Sequence, residues 1–183
     1  MYYIYLYYKS MPYQPRGRNT MADFALTEQR LAVTCRRYPA FPRRPATLVR
    51  LIKHIHKMLH DEANASLKPY GINHPEYNLL MMLYGSGSGT MSPSELADAA
   101  GEKSANITRL TNELCDKGLI DRNSSADDRR KIELSLTPQG QALLDSLLPD
   151  ICTLLAKQGR HLKVSEQVQL EKLLKKFLSG LAD

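Results

Sequence analysis

The sequence predicts a mainly α-helical (α+β) protein: a winged helix-turn-helix set between long helices at the two ends of the chain. Three observations carry that expectation. Two short helices with capping signals meet at Gly101, and two short strands follow around a polar, charged turn. Amphipathic stretches much longer than either short helix flank the whole.

Composition sets the bounds. A chain of 183 residues that is 43% hydrophobic can bury one core, and with no Trp that core rests on aliphatic side chains. Cys35, Cys115 and Cys152 are an odd set without regular spacing, which argues against a disulfide framework and for a reducing cytoplasm. No apolar run reaches the length of a membrane span, so no membrane partner is expected. The net charge of +6 has an uneven source: residues 1–44 hold eight Lys/Arg against two Asp/Glu, whereas residues 45–183 hold 17 of each. Basic composition therefore says little about nucleic acid here, and motifs must carry the case. The start MYYIYLYYKS has no basic residue ahead of its apolar stretch and no cleavage site, so it does not read as a signal peptide. It is expected to lie upstream of a working start at Met21.

Along the chain, residues 1–44 read as a basic, partly disordered arm. Within it Leu31–Pro45 reads as a linker, because Pro39, Pro42 and Pro45 alternate with Arg36, Arg37, Arg43 and Arg44. A long helix is expected from Ala46 to Lys68. Leu48, Ile52, Ile55, Leu59 and Ala63 repeat at steps of four and three, with Arg50, Lys53 and Lys57 on the other side. Asn73 caps a second helix with Pro75 in its first turn and Tyr77, Leu80, Met81 and Tyr84 as buried candidates. Gly85–Gly89 alternates Gly and Ser and reads as a flexible linker. A phosphate loop would need Lys then Ser or Thr after the glycines, where Thr90-Met91 stand.

Ser92-Pro93-Ser94-Glu95 combines a cap, a Pro in the first turn and a capping-box Glu, opening a helix from Pro93 to Ala100. Ser104 is the expected cap of the next helix, which runs through Ile107, Leu110 and Leu114 to Lys117 and ends at Gly118. Leu119–Arg122 and Lys131–Leu136 read as strands around the polar segment 123–130. Thr137-Pro138 opens a helix that Pro149 should bend, and Ser165 caps the last helix, whose Val168, Leu170, Leu173, Leu174, Phe177 and Leu178 form a broad apolar face.

At about 100° per residue, Ile107, Leu110 and Leu114 share one side of their helix. Ala105, Arg109 and Asn112 fall nearly opposite, with Ser104 at the helix start and Asn106 and Thr108 beside them. That set suits a major groove: Arg for guanine, Asn for adenine, and small methyl-bearing side chains for thymine. The alternative is an ordinary polar helix face. Asp128, Arg129, Arg130 and Lys131 sit at the hairpin tip, where an Arg can enter a minor groove while a carboxylate steadies it. Their alternative is a solvated ion-pair cluster.

The segment Asp128-Arg-Arg-Lys-Ile-Glu-Leu-Ser-Leu-Thr-Pro-Gln-Gly140 resembles the D-x-R…L-T-x-x-G signature of the MarR family of bacterial regulators, with the multidrug-efflux repressors as the most similar subgroup. The likeness spans residues 45–181. It implies a MarR-type domain over 45–183, with a winged helix-turn-helix lobe at 72–136 and dimerisation helices at 45–70 and 137–183. It also implies a homodimeric repressor, a palindromic double-stranded DNA operator read by two recognition helices about one turn apart, and release by a small aromatic carboxylate or phenolic inducer. No other cofactor is implied. By position on the first two helices, Arg50, His54, Met58, Tyr77 and Met81 are the candidate ligand contacts.

Rival readings remain. His56 and His60 have a zinc-compatible spacing of four but no evident third ligand. Cys115 or Cys152 would serve a thiol-based sensor, yet neither has an electropositive setting in the sequence. A non-regulatory architectural DNA-binder would share the fold. No nucleophile elbow, carboxylate pair or dinucleotide fingerprint supports an enzyme.

Overall fold

The computed structural model describes residues 20–124 and 132–181. The Tyr-rich start lies outside them. The chain forms two compact units that divide between Leu59 and His60.

In the first unit the expected linker is a helix. α1 spans Thr20–Arg37, and only residues 38–42 separate it from α2, Arg43–Leu67. The prolines misled because two of them sit in the short turn and the third, Pro45, falls in the first turn of α2, where a helix needs no N–H donor. Arg36 and Arg37 close α1, where cations oppose the negative end of the helix dipole. Tyr38 N–H donates to Thr34 O at 2.8 Å, and Ala46 N–H to Pro42 O at 3.1 Å. Leu31 is fully buried, and Phe24 packs on His54 with ring centroids 5.8 Å apart. The stripe Leu48, Leu51, Ile52, Ile55 and Leu59 stays 36–50% exposed.

The second unit begins with the end of α2, where Ala63 and Leu67 enter a core. A 3₁₀ turn, Lys68–Tyr70, then reverses the chain through Gly71 at φ 72°. α3 spans His74–Tyr84 with the expected Asn73 capping box: Asn73 Oδ1 accepts from Glu76 N–H, and Glu76 Oε2 accepts from Asn73 N–H. Its buried side differs from the expected one mainly at Tyr84 and at two residues the pattern left out, Leu79 and Leu83. Leu79, Leu80 and Leu83 are buried, Tyr77 and Met81 are half-buried and Tyr84 is exposed.

The glycine-serine segment leads directly into β1, Thr90–Met91, a strand too short to show in the sequence pattern. α4 (Pro93–Ala100) carries the predicted Ser92–Glu95 capping box and stops at left-handed Gly101. α5 spans Ser104–Asp116, with Lys103 rather than Ser104 in the cap position and no side-chain cap bond. β2 (Ile120–Ser124) and β3 (Ile132–Leu136) pair antiparallel, Ile120 opposite Leu136 and Ser124 opposite Ile132. β1 lies on the other edge of β3. α6 (Pro138–Gly159) runs through Pro149 as one helix, and α7 spans Val164–Ser179. Lys163, not Ser165, precedes α7 as its cap; its N–H donates to Glu166 Oε2 at 2.7 Å.

The core gathers Leu96 of α4, Ile107, Leu110 and Leu114 of α5, Ile120 and Leu134 of the sheet, and Leu144 and Leu147 of α6. Each side chain so buried contributes about 1.5–3 kcal/mol of transfer free energy. α7 contributes none: Val168, Leu173, Leu174 and Leu178 are 46–66% exposed.

One junction fixes the register of these parts. Gly118 takes φ 67° to end α5, and Thr137 Oγ1 donates to its carbonyl at 2.7 Å while accepting from Gly140 N–H at 2.9 Å. Thr137 N–H reaches Leu119 O at 3.1 Å. Gly140 lies so close to Leu119 that a Cβ there would stand 2.1 Å from the Leu119 carbonyl oxygen. Leu136-Thr137-x-x-Gly140 is thus a packing motif whose glycine is required by backbone contact. The substitution Gly140→Ala is expected to destabilise the protein by at least the ~1–3 kcal/mol typical of overpacking, read as a lowered urea midpoint. An unchanged midpoint would remove this contact as a constraint.

Candidate nucleic-acid interface

α5 divides cleanly. Ile107, Leu110, Thr111 and Leu114 are buried, whereas Ser104, Ala105, Thr108, Arg109 and Asn112 are exposed and Asn106 is half-buried. The 3.6-residue period sets the buried side, since Ile107, Leu110, Thr111 and Leu114 follow one another at steps of three and four. Of the six residues expected to contact DNA, Ala105, Thr108, Arg109 and Asn112 lie on the outward side, Asn106 stands half-buried at its margin, and Ser104 is exposed at the helix start.

Arg109 is held in place on that face. Its Nη1 donates to Glu113 Oε1 at 2.6 Å and its Nη2 to Asn106 Oδ1 at 3.0 Å; Asn106 Nδ2 in turn donates to Glu102 Oε2 at 3.0 Å. The guanidinium is therefore extended along the exposed side rather than free to sample rotamers. An exposed i,i+4 ion pair is worth at most about 1 kcal/mol, so exchanging Glu113 for another acceptor is a small step. Thr108 uses its hydroxyl proton on Ser104 O at 2.9 Å, which leaves its methyl and oxygen lone pairs outward.

Two cations beside this face were missed by sequence reasoning. Lys103 is exposed at the N-terminus of α5, and Arg122 on β2 donates Nη2 to Thr111 Oγ1 at 2.6 Å. The signal for Lys103 was present, one residue before the assumed cap. The signal for Arg122 appears only once the strand is docked on α5.

A third missed residue, Glu76, supports the interface from behind. It is 1% exposed, completes the α3 capping box, and accepts from Lys117 Nζ at 2.6 Å. Lys117 also donates to Gly71 O at 2.9 Å. The end of α5 is thereby tied to the start of α3, with the buried carboxylate supplied with partners on both oxygens.

The expected wing-tip residues Asp128, Arg129, Arg130 and Lys131 lie outside the described residues. The described strands end at Ser124 and resume at Ile132. Of the expected ligand contacts, Arg50 and His54 line a cavity in the first unit. Tyr77 and Met81 pack on the core of the second, and Met58 is half-buried. Burial raises the Tyr77 phenol above its usual pKa. His60 meets His74: their Nδ1 atoms are 3.0 Å apart, so one ring donates and the other accepts. Among the described residues no three His, Cys, Asp or Glu side chains cluster to hold a metal ion, and no helix is long and apolar enough to cross a membrane.

Of the two cysteines offered for a thiol sensor, Cys152 is exposed and Cys115 lies within α5. Burial pushes this half-buried thiol up from its ordinary pKa, Arg122 pulls it down less, and Asp116 and Asp121 add to the rise. Because the thiolate is the reactive form, alkylation of Cys115 at pH 7 should be slower than that of free glutathione and should rise with pH through the alkaline range. Alkylation as fast as glutathione, located at Cys115 by peptide mass mapping, would reinstate a reactive thiol in α5.

A family model described as the MarR family matches residues 72–132. Transcriptional repressor MprA of Escherichia coli is 34% identical over 160 residues, covering 87% of this chain and 91% of that protein. HTH-type transcriptional regulator PrsX of Escherichia coli is 33% identical over 145 residues, covering 79% and 87%. Among solved structures, a mutant of MarR from Escherichia coli complexed with operator DNA superposes with a TM-score of 0.67 at 26% identity, covering 72% of this chain and 93% of that one.

Proposed function

The chain belongs to the MarR family, and from that premise we propose that it is a homodimeric transcriptional repressor that binds a palindromic operator and lets go when a small aromatic or lipophilic acid binds. The observation that carries the reading is the division of α5 into a buried apolar side and an outward side presenting Ala105, Arg109 and Asn112. In a major groove Arg109 offers two parallel donors to guanine O6 and N7. Asn112 offers a donor and an acceptor to adenine, and the Ala105 and Thr108 methyls offer apolar contact to thymine. Arg129 and Arg130, in the sequence between β2 and β3, are assigned to the adjacent minor groove and phosphates. The same reading assigns Asp128 to steadying one of these arginines and Lys131 to a phosphate contact.

Dimerisation rests on exposed apolar surface. α7 leaves Val168, Leu173, Leu174 and Leu178 outward, and α2 leaves Leu48, Ile52, Ile55 and Leu59 outward. Aliphatic faces of this extent are rarely left to water and fit a second copy of the same helices. Two copies place two α5 helices on one side of a duplex, which matches a two-fold operator. The relative solved on operator DNA, and the relative named a repressor, support this assignment. A ligand that binds one spacing of the two recognition helices more tightly than the other shifts the population away from the DNA-competent dimer.

Fluorescence anisotropy on duplexes recovered by selection from genomic fragments tests the reading. Arg109→Ala should reduce discrimination at one base position by about 1–3 kcal/mol, a tenfold to hundredfold loss. Arg129→Ala should weaken all duplexes alike and lower the salt slope by about 1. Unchanged affinity and salt slope in both variants would remove the assigned DNA face.

A further inference from the structure

In the second unit, His60 near the end of α2 meets His74 in the first turn of α3, with Nδ1 atoms 3.0 Å apart and ring centroids 5.2 Å apart. Both residues are half-buried, so neither is sealed from solvent. The meeting is built in at the backbone. Asn64 Nδ2 donates to His60 O at 2.9 Å, and Asn64 Oδ1 accepts from His74 N–H at 2.9 Å, so one amide ties the two histidines together. Tyr77, one turn further along α3, stacks on the His74 ring with centroids 6.3 Å apart and planes 20° from parallel.

Imidazole nitrogen is the commonest side-chain ligand for metal ions, and two imidazoles held on different helices make a chelate rather than two separate weak donors. The spacing also selects a geometry. At a metal–nitrogen distance of about 2.0–2.1 Å, two donors of a tetrahedral ion stand about 3.3–3.4 Å apart, whereas two neighbouring donors of a square-planar or octahedral ion stand about 2.8–3.0 Å apart. The 3.0 Å between His60 Nδ1 and His74 Nδ1 matches the second class.

We infer that His60 and His74 form a two-point chelate for a late first-row divalent ion that accepts donors at right angles, nickel(II) or copper(II) in preference to zinc(II). Water completes the coordination, because among the described residues no third His, Cys, Asp or Glu side chain joins the pair. In the metal-free pair one Nδ1 carries the shared hydrogen. On binding, that ring passes through water to its Nε2–H tautomer, so both Nδ1 lone pairs turn to the ion and no net proton is released. Two coordinate bonds then replace one hydrogen bond between the end of α2 and the start of α3. The inference stands apart from the operator and inducer readings, since it uses none of the residues assigned to DNA.

The test is calorimetric titration of the untagged, chelator-treated full-length protein, without DNA, with nickel chloride, and with zinc chloride and magnesium chloride alongside. One nickel ion should bind per chain, several-fold tighter than zinc, with magnesium not bound. His60→Gln and His74→Gln should each weaken nickel about tenfold or more, whereas His161→Gln, at an exposed position away from the pair, should leave it unchanged. Proton NMR of the nickel-loaded protein should show two hyperfine-shifted exchangeable ring N–H signals, one for each bound imidazole, and either Gln variant should remove them. Nickel should raise the melting temperature of the unaltered protein and leave that of the double variant where it is, a comparison that also shows whether the variants fold. Absence of saturable nickel binding, zinc bound as tightly as nickel, or nickel affinity unchanged in either His60→Gln or His74→Gln would overturn the inference. Because DNA is absent from the titration, such a failure leaves the operator-binding reading standing, and failure of DNA binding leaves the metal result standing.

Discussion

Gly140 pressed against the Leu119 carbonyl is the contact on which the second unit depends. At this point the end of α5, the beginning of the sheet and the first turn of α6 occupy the same few ångströms, and the absence of a Cβ makes that possible. Thr137 converts the close approach into a joint. Its hydroxyl donates to Gly118 O and accepts from Gly140 N–H, so one side chain closes a helix C-terminus and opens another. The direction in which α5 leaves the core is therefore set by backbone geometry rather than by packing alone.

The Glu76–Lys117 pair braces the same helix from the other side. A carboxylate at 1% exposure is tolerated only when its oxygens are fully used, and here one oxygen completes the α3 cap while the other takes Lys117. With its end held by Thr137, Lys117 and Gly118, and its apolar side sunk against the sheet and α6, α5 has one side left to present. A helix anchored in this way can exchange the Glu113 partner of Arg109 for a ligand without moving its own axis, which is what preorganised recognition requires.

Much of this was legible in the residue pattern, for identifiable reasons. Asn73, Ser92 and Thr137 announce helix starts because a short polar side chain, a Pro and in two cases a Glu act together within one turn. Ser104 and Ser165 misled because a lone Ser fits the first turn of a helix as well as its cap; the first of these helices starts one residue earlier than read and the second two. α1 was hidden by prolines that in fact punctuate its end. β1 is two residues long and exists only through its pairing with Ser135 and Leu134, a long-range fact that no local pattern carries. Tyr84 was taken as buried by periodicity, yet it ends α3 beside Gly85 and faces outward. The recognition face needed only the helical period; Arg122 and Glu76 needed the tertiary fold. Arg50 and His54 were read as ligand contacts from their place on α2, but Thr27 on the facing wall of their cavity stayed hidden because residues 1–44 were read as an arm.

Hydroxyl-radical footprinting on the genomic fragment that binds most tightly addresses the operator reading at its centre. Two copies of α5 held by one two-fold dimer should protect two patches related by the symmetry of the sequence, with centres about one helical turn, ~10 base pairs, apart. A single protected patch, or protection spread along the duplex without two-fold symmetry, would contradict the dimeric, operator-reading account.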